Sequence, residues 1–193
     1  MLALFMVFLS AALVGNFVLT RFLGICPFIG VSRQLESAVG MGAAVTFVLL
    51  LSTLVTWLIQ KLILQPLDIV YLQTVFFILI IAALVQLLEM LLAKFSPVLQ
   101  KMLGVYLPLI TTNCVVLGAA LINVRDYAAD LPSALANSLG AGLGFALILL
   151  VMSGIRERLD KAPVPPAFRG VPIAFITAAL MSIAFLGFSG LQM

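Results

Sequence analysis

Two cysteines are the side chains in this sequence best suited to chemistry, and both stand beside residues that interrupt helices. Cys26 lies in the apolar stretch 23–30, between two glycines and next to Pro27. Cys114 follows the polar run 111–113. Because glycine and proline both weaken a helix interior, we expect the stretch 23–30 to be locally unwound or a junction of half-helices, with a similar break near Cys114. Thiolates bind iron and zinc, but two cannot complete a tetrahedral thiolate site, so such a site needs a second chain.

The two cysteines have simpler interpretations as well. A single buried cysteine in a membrane helix usually serves as a small hydrophobic side chain. A disulfide between Cys26 and Cys114 would lie within lipid with no loop to staple, and we do not expect one. The placement of both residues at helix breaks favours a functional role for the pair.

The composition assigns the chain to the all-α integral membrane class. Its 193 residues are 64% hydrophobic and 9% charged, with a mean hydropathy of +1.31. The ten lysines and arginines are scattered over short loops and form no basic face for nucleic acid. The sequence has no histidine, which excludes histidine-ligated haem and histidine-containing metal sites.

Six predominantly apolar elements divide the chain into a single membrane domain, 1–193. These elements cover residues 2–32, 39–60, 69–92, 103–124, 131–155 and 171–191. The first is expected to be retained rather than cleaved, because no basic segment precedes it. Residues 65–68 predict a turn, 95–103 an interfacial segment and 156–169 a polar loop.

The six elements predict two inverted three-helix repeats, 1–95 and 96–193. Three crossings per half force the halves to point in opposite directions. In each half the first element, that is element 1 or element 4, carries the break near a cysteine. Paired interrupted helices at corresponding places indicate a site near the middle of the membrane, between the repeats.

Loop charges predict the orientation of the chain. The first, third and fifth loops carry eight basic residues: Arg21, Arg33, Lys94, Lys101, Arg156, Arg158, Lys161 and Arg169. The second and fourth carry only Lys61 and Arg125. The positive-inside rule therefore places the odd-numbered loops in the cytoplasm and both termini on the opposite side of the membrane.

Two further features concern packing within the membrane. Gly140 and Gly144 form a GxxxG pair, which predicts close helix packing. Arg21 falls between the N-terminus and the break, at membrane depth if element 1 crosses once. We therefore expect Arg21 to need an anionic partner, and a negatively charged cluster is one candidate.

Four segments of the sequence closely resemble those of a known family. They are 22–32 (FLGICPFIGVS), 106–114 (YLPLITTNC), and 168–173 (FRGVPI) together with 186–190 (LGFSG). The chain is similar over its whole length to the A-type subunits of the Rnf ion-translocating electron-transport complex. It also resembles the related E-type subunit of the sodium-pumping NADH:quinone reductase, although the run 111–113 is more similar to the Rnf sequences.

The resemblance implies an electron-transfer function that the chain performs only within its complex. It implies a [2Fe-2S] cluster shared with a homologous partner of opposite topology, the E-type subunit of the complex, with Cys26 and Cys114 as this chain's two ligands. Gly24, Pro27, Thr112 and Asn113 would then surround the cluster. Further implied partners are a cytoplasmic-side iron–sulfur subunit and a flavin-bearing subunit, in the bacterial inner membrane.

The implied complex moves electrons between ferredoxin and NAD, coupled to Na+ or H+ translocation, and no catalysis by the isolated chain is expected. One alternative is an inverted-repeat transporter that binds a cation or small solute at the helix breaks, with oxygen ligands from residues 111–113. A purely structural assembly subunit is a third possibility.

Overall fold

A computed structural model describes residues 2–67, 70–95, 107–128 and 130–189, and all of its regular structure is helical. Four helical segments in these ranges are long and apolar enough to cross a membrane: Leu35–Leu64, Gln73–Met90, Pro108–Asp126 and Leu131–Asp160. Two shorter apolar helices are Leu4–Val14 and Val171–Gly187. The predicted all-α membrane class is therefore confirmed.

The first element is discontinuous, as predicted. It consists of α1 (Leu2–Leu9), a π-helical turn (Ser10–Val14), α2 (Phe17–Arg21) and α3 (Ile25–Val31). Asn16 ends the first interruption by capping α2, since its Oδ1 accepts a hydrogen bond from the Val18 N–H at 3.0 Å. The second interruption lies at residues 22–24, where Phe22 and Gly24 both have positive φ.

The predicted junction of half-helices in 23–30 is confirmed, and the unwound backbone is confined to the start of this stretch. Helix α3 begins at Ile25 and includes Cys26, Pro27 and Gly30. Proline is tolerated in the first turn of a helix because its missing N–H would have no intrahelical acceptor there. Pro27 therefore lies in the first turn of the second half-helix, and the backbone is unwound only before Ile25.

The second and third elements extend beyond their predicted limits. Helix α4 (Leu35–Ile59) continues through a π-helical turn (Gln60–Leu64) into α5 (Gln65–Leu67). The predicted turn at 65–68 is thus helical over its first three residues, and Asp68 and Ile69 lie outside the described residues. A 3-10 turn (Val70–Leu72) leads into α6 (Gln73–Phe95).

The fourth element is also broken. Helix α7 (Leu107–Thr111) ends two residues before α8 (Cys114–Asp126), and Thr112 and Asn113 form the junction. The predicted start of this element at residue 103 and most of the interfacial segment 95–103 lie outside the described residues. Helices α9 (Leu131–Asp160) and α10 (Val171–Ser189) follow, with a 3-10 turn (Pro166–Phe168) between them.

Helices α4 and α9 form the most extensive helix–helix contact in the described part of the chain. A Cβ placed on Gly42 would lie 2.8 Å from the Cβ of Ala146, and one on Gly142 would lie 2.8 Å from the Thr46 side chain. Along this contact the residue numbers in α9 fall as those in α4 rise, so the two helices are antiparallel. Only glycine permits this separation at the crossing.

A buried hydrogen-bond network joins α4, α8 and α9. The hydroxyl oxygens of Thr53 and Ser138 lie 2.6 Å apart, and Asn123 Nδ2 donates to both, at 3.2 and 2.6 Å. Asn137 Nδ2 donates to Asn123 Oδ1 at 2.7 Å. Polar side chains at membrane depth are stable when they bond to one another across helices, so this network fixes the three helices.

The GxxxG prediction is confirmed. Gly140 faces Phe8 and Ala11, and a Cβ on Gly144 would lie 2.6 Å from the Ala12 carbonyl oxygen. These glycines let α1 and its π-helical turn approach α9 closely. The discontinuous first element is thereby held against the longest helix of the chain.

Candidate functional site: two adjacent helix breaks

The break before Cys114 is built by short-range hydrogen bonds. Thr112 Oγ1 donates to the Pro108 carbonyl at 2.8 Å, at the end of α7. Asn113 caps α8, because its Oδ1 accepts from the Val115 N–H at 3.1 Å. Cys114 is the first residue of α8, so its N–H has no acceptor within that helix.

The break before Cys26 depends on Gly24. This residue precedes α3 with φ of +77°, a left-handed conformation that glycine adopts without steric cost. Cys26 follows as the second residue of α3, and Pro27 is buried. Each cysteine therefore lies in the first turn of a half-helix.

The two breaks lie against each other, although 88 positions separate the cysteines. A Cβ on Gly24 would stand 2.6 Å from Val115 Cγ2 and 3.1 Å from Asn113 Oδ1. Leu23 packs against Gly118 of α8 so closely that a Cβ on Gly118 would overlap the Leu23 side chain. Helix packing thus brings the two cysteine-bearing segments into one region of the molecule.

Both thiols are free and exposed on the surface of the chain. The groups next to them are buried: Asn113 is 3% exposed, and Phe28 of α3 is 1% exposed. The described residues contain no cluster of three or more His, Cys, Asp or Glu side chains that would hold a metal within this chain. The two exposed thiols could therefore act as sulfur ligands, and the buried residues next to them hold them in place.

The amide nitrogen of Asn113 is buried and has no hydrogen-bond partner. Leaving such a donor unsatisfied costs about 1–3 kcal/mol, so its position calls for a physical explanation. Asn16 provides the comparison. It caps α2 in the same way, but its Nδ2 donates to the Ala12 carbonyl at 3.1 Å.

A mainly apolar cavity of about 500 Å³ opens beside the second break. Its walls come from α6, the junction 111–114 and α8, with Leu23 at one side. Its polar lining residues are Thr111, Thr112, Asn113 and Cys114. The cavity therefore adjoins one thiol and belongs to the region of the breaks.

Arg156 holds the far end of the helix that carries Cys26. Its guanidinium Nη1 donates to the Ile29 carbonyl at 2.6 Å and to Ser32 Oγ at 2.9 Å. Arg156 is only 6% exposed and lies within α9, so its predicted place in a polar loop is wrong. A cation is favourable at a helix C-terminus, where carbonyl groups lack intrahelical partners.

Arg21 is exposed at the end of α2, between the two interruptions of the first element. Its guanidinium carbon lies 5.4 Å from the centroid of the Phe17 ring. Neither ion pair found among the described residues involves Arg21. The predicted anionic partner is therefore not supplied by this part of the chain.

Sequence reasoning identified both cysteines and their neighbours but missed three supporting features. These are the Asn16 cap, the Arg156 contact and the buried network around Asn123. The sequence signal for the Asn16 cap was the pair Gly15-Asn16 in an otherwise apolar run. The other two depend on residues far apart in the sequence and gave no local signal.

Long apolar helices and two discontinuous elements define a helical membrane protein. The sequence comparisons agree with this class. The Rnf-Nqr family, described as "Rnf-Nqr subunit, membrane protein", matches residues 4–192. The chain belongs to this family.

Relatives similar along their whole length carry more specific names. The chain is 57% identical to the A-type subunit of the Na(+)-translocating ferredoxin:NAD(+) oxidoreductase complex of Acetobacterium woodii, with 100% of both chains covered. It is 53% identical to the A-type subunit of the ion-translocating oxidoreductase complex of Syntrophotalea carbinolica, covering 97% of each. A Pseudomonas aeruginosa protein of the same name is 52% identical, with 99% and 98% covered. The resemblance found from the sequence motifs is confirmed.

Proposed function

We propose that this chain is the A-type membrane subunit of an ion-translocating ferredoxin:NAD oxidoreductase complex, and that it supplies half of an intramembrane iron–sulfur site. The names of the full-length relatives support the complex. The observation that carries the site is the pair of exposed thiols, Cys26 and Cys114, at two helix breaks in contact.

The donor set fits half of a [2Fe-2S] cluster. Such a cluster takes four cysteine thiolates, and this chain offers two. Both face outward rather than into the chain's own core, as a site shared with a second protein requires. When bound, the cluster supplies one-electron transfer near the middle of the membrane.

Four neighbouring residues hold the two cysteines in this proposal. Gly24 allows α3 to approach α8, and Pro27 favours helical φ in the first turn of α3. Thr112 closes the end of α7, and Asn113 caps α8. Each cysteine is thereby fixed by backbone geometry at the start of a helix.

The contacts between α4 and α9 support two inverted repeats. A two-fold rotation exchanges two contacts, Gly42 with Ala146 and Thr46 with Gly142. Under this rotation Gly42 corresponds to Gly142 and Thr46 to Ala146, so each α9 residue lies one hundred positions after its α4 counterpart. The remaining packing follows the same symmetry, because the first element packs on α9 as α8 packs on α4. A two-fold axis between antiparallel helices is the relationship expected for inverted halves.

The remaining parts of the proposal concern placement and partners. The basic residues of the odd-numbered loops support cytoplasmic placement of those loops in the bacterial inner membrane, with both termini on the other side. The partner that completes the site is a homologous membrane protein of opposite topology, the E-type subunit of the complex. An iron–sulfur subunit on the cytoplasmic side and a flavin-bearing subunit on the other face act before and after it.

Coupling to Na+ or H+ is assigned in this proposal to the broken helices. Half-helices that meet inside a membrane form ion pathways in many inverted-repeat proteins, where the two halves move to open one side at a time. Here α3 and α8 both begin at the breaks and carry the two cysteines. A change at the shared site would therefore act directly on these two helices.

A solute or cation transporter is less well supported. It would use oxygen atoms from the run 111–113 as ligands. Thr112 Oγ1 is engaged with Pro108, and Asn113 Oδ1 with the Val115 N–H. Both oxygens are thus held in hydrogen bonds that define the end of α7 and the start of α8, and no acidic side chain is among the described residues that line the cavity beside them.

Iron and acid-labile sulfide analysis of the chain co-purified with its membrane partner tests the proposal. We expect two iron and two sulfide per heterodimer, since a [2Fe-2S] cluster has that composition. The same chain purified alone should carry no stable cluster. An iron-free heterodimer that still supports electron transfer in the complex would overturn the proposal.

A further inference from the structure

We propose that the side-chain amide of Asn113 donates a hydrogen bond to a cluster-bound cysteine sulfur at the helix break and thereby sets the reduction potential of the site. This inference rests on the proposed iron–sulfur function and adds a residue role to it. The starting observation is a buried amide nitrogen that has no acceptor.

The orientation of the Asn113 amide is fixed by the fold. Its Oδ1 accepts from the Val115 N–H at 3.1 Å, so the NH2 group must point away from the helix cap. Exchanging the two amide atoms would remove that cap and place two donors against each other. The unpartnered atom is therefore a donor.

The comparison with Asn16 shows that a free amide is not a requirement of this cap. Both asparagines accept from the N–H two residues later, at 3.0 and 3.1 Å. Asn16 also donates to Ala12, four residues earlier. The residue four positions before Asn113 is Leu109, and α7 ends at Thr111, so a different acceptor is needed there.

Neither free cysteine thiol accepts a hydrogen bond from this amide. The chemistry of the break favours the anionic sulfur of a cluster-bound cysteine as the acceptor. Asn113 directly precedes Cys114 and lies against Gly24, two residues before Cys26. The surroundings are apolar, with Val115 and Phe145 beside Gly24, and the amide nitrogen is buried from water. The N-terminus of α8 adds partial positive charge, which also favours a negative group.

A hydrogen bond to a ligating sulfur favours the reduced cluster, because reduction adds negative charge to the sulfur atoms. Removing the donor should therefore lower the reduction potential. We expect the equilibrium for one-electron reduction to shift about tenfold toward the oxidised form, and a tenfold shift equals 59 mV for one electron.

The test compares Asn113→Ser with Asn16→Ser in the intact complex. Serine is as good a cap as asparagine, so both variants keep their helix starts. Redox titration followed by EPR should show a lowered potential with the signal retained in Asn113→Ser, and an unchanged potential in Asn16→Ser. Equal potentials in Asn113→Ser and the wild type, at equal iron content, would overturn the inference while leaving the cluster assignment intact.

A second measurement, on the wild-type complex, tests the inference even if Asn113→Ser loses the cluster. Wild-type complex, labelled with 15N only in asparagine side-chain amides, should show a 15N hyperfine coupling to the reduced cluster in pulsed EPR. The absence of that coupling would overturn the inference without any variant. A wild-type complex that holds no iron at these cysteines would overturn the proposed function, and this inference with it.

Discussion

Gly24 and Asn113 meet where two separate segments of the chain are both unwound. A Cβ on Gly24 would stand 3.1 Å from Asn113 Oδ1, and the same Oδ1 caps the helix that begins with Cys114. The contact couples the start of α3 to the start of α8. The relative positions of the two thiols therefore depend on this junction.

Replacement of Gly24 by alanine should damage the junction directly. The left-handed backbone and the 2.6 Å approach to Val115 Cγ2 both oppose a Cβ, and we expect a loss of about 2 kcal/mol or more in unfolding free energy. Thermal unfolding of the purified complex gives the measurement. Gly40→Ala is the control, because Gly40 lies inside α4 with open space around it. Equal melting temperatures for the two variants would contradict the prediction.

The α4–α9 crossing should be sensitive to one methyl group. Gly142→Ala places a Cβ 2.9 Å from the Thr46 Cα, so the helices must separate, at a cost of about 1–3 kcal/mol. The proposed two-fold relationship predicts a similar loss of stability for Gly42→Ala. Gly154→Ala in the same helix meets nothing within 4 Å and should not lower stability. A loss in Gly154→Ala as large as in Gly142→Ala would show that the crossing is not the cause.

The network around Asn123 should behave as a coupled unit. Asn123→Ala removes the bonds to Thr53 and Ser138 and leaves the Asn137 amide without its acceptor. We expect a double-mutant cycle of Asn123→Ala with Asn137→Ala to give a coupling of about 1 kcal/mol in unfolding free energy, as is typical for hydrogen bonds between membrane helices. Simple additivity of the two losses would argue against the network.

Arg156 should stabilise α3, which carries Cys26, more than α8, which carries Cys114. Arg156→Gln removes a charge-assisted bond to the Ile29 carbonyl, and we expect a loss of about 2 kcal/mol together with faster alkylation of Cys26 in the cluster-free chain. Peptide mass spectrometry separates the two cysteines. Arg158→Gln changes an exposed arginine of the same helix and serves as the control. Unchanged alkylation of Cys26 in Arg156→Gln would contradict the assignment.

The sequence predicted the parts of the site that depend on local chemistry. Glycine, proline and asparagine close together near Cys26 and Cys114 weaken an apolar helix, so both discontinuous elements could be expected. The burial of Arg156 could not be predicted. Its hydrogen-bond partner Ile29 lies 127 positions earlier, and the polar, proline-rich residues that follow it are typical of a loop.

The contact between the breaks was also beyond local reasoning. Gly24 and Asn113 meet because α3 and α8 both pack on α4, which no spacing in the sequence encodes. Paired breaks predicted a common site, but the small residues that allow the approach show their role only in three dimensions. Tertiary packing thus decides which helix breaks come into contact.

EPR spectroscopy of the reduced complex tests the central claim most directly. Cys26→Ala and Cys114→Ala should each abolish the signal of the intramembrane [2Fe-2S] cluster while the signals of the other centres persist, because each variant removes one of the four thiolates. Alanine replaces an exposed thiol in both cases, so assembly of the complex should survive. An intact cluster signal in either variant, in a complex of normal subunit composition, would contradict the account.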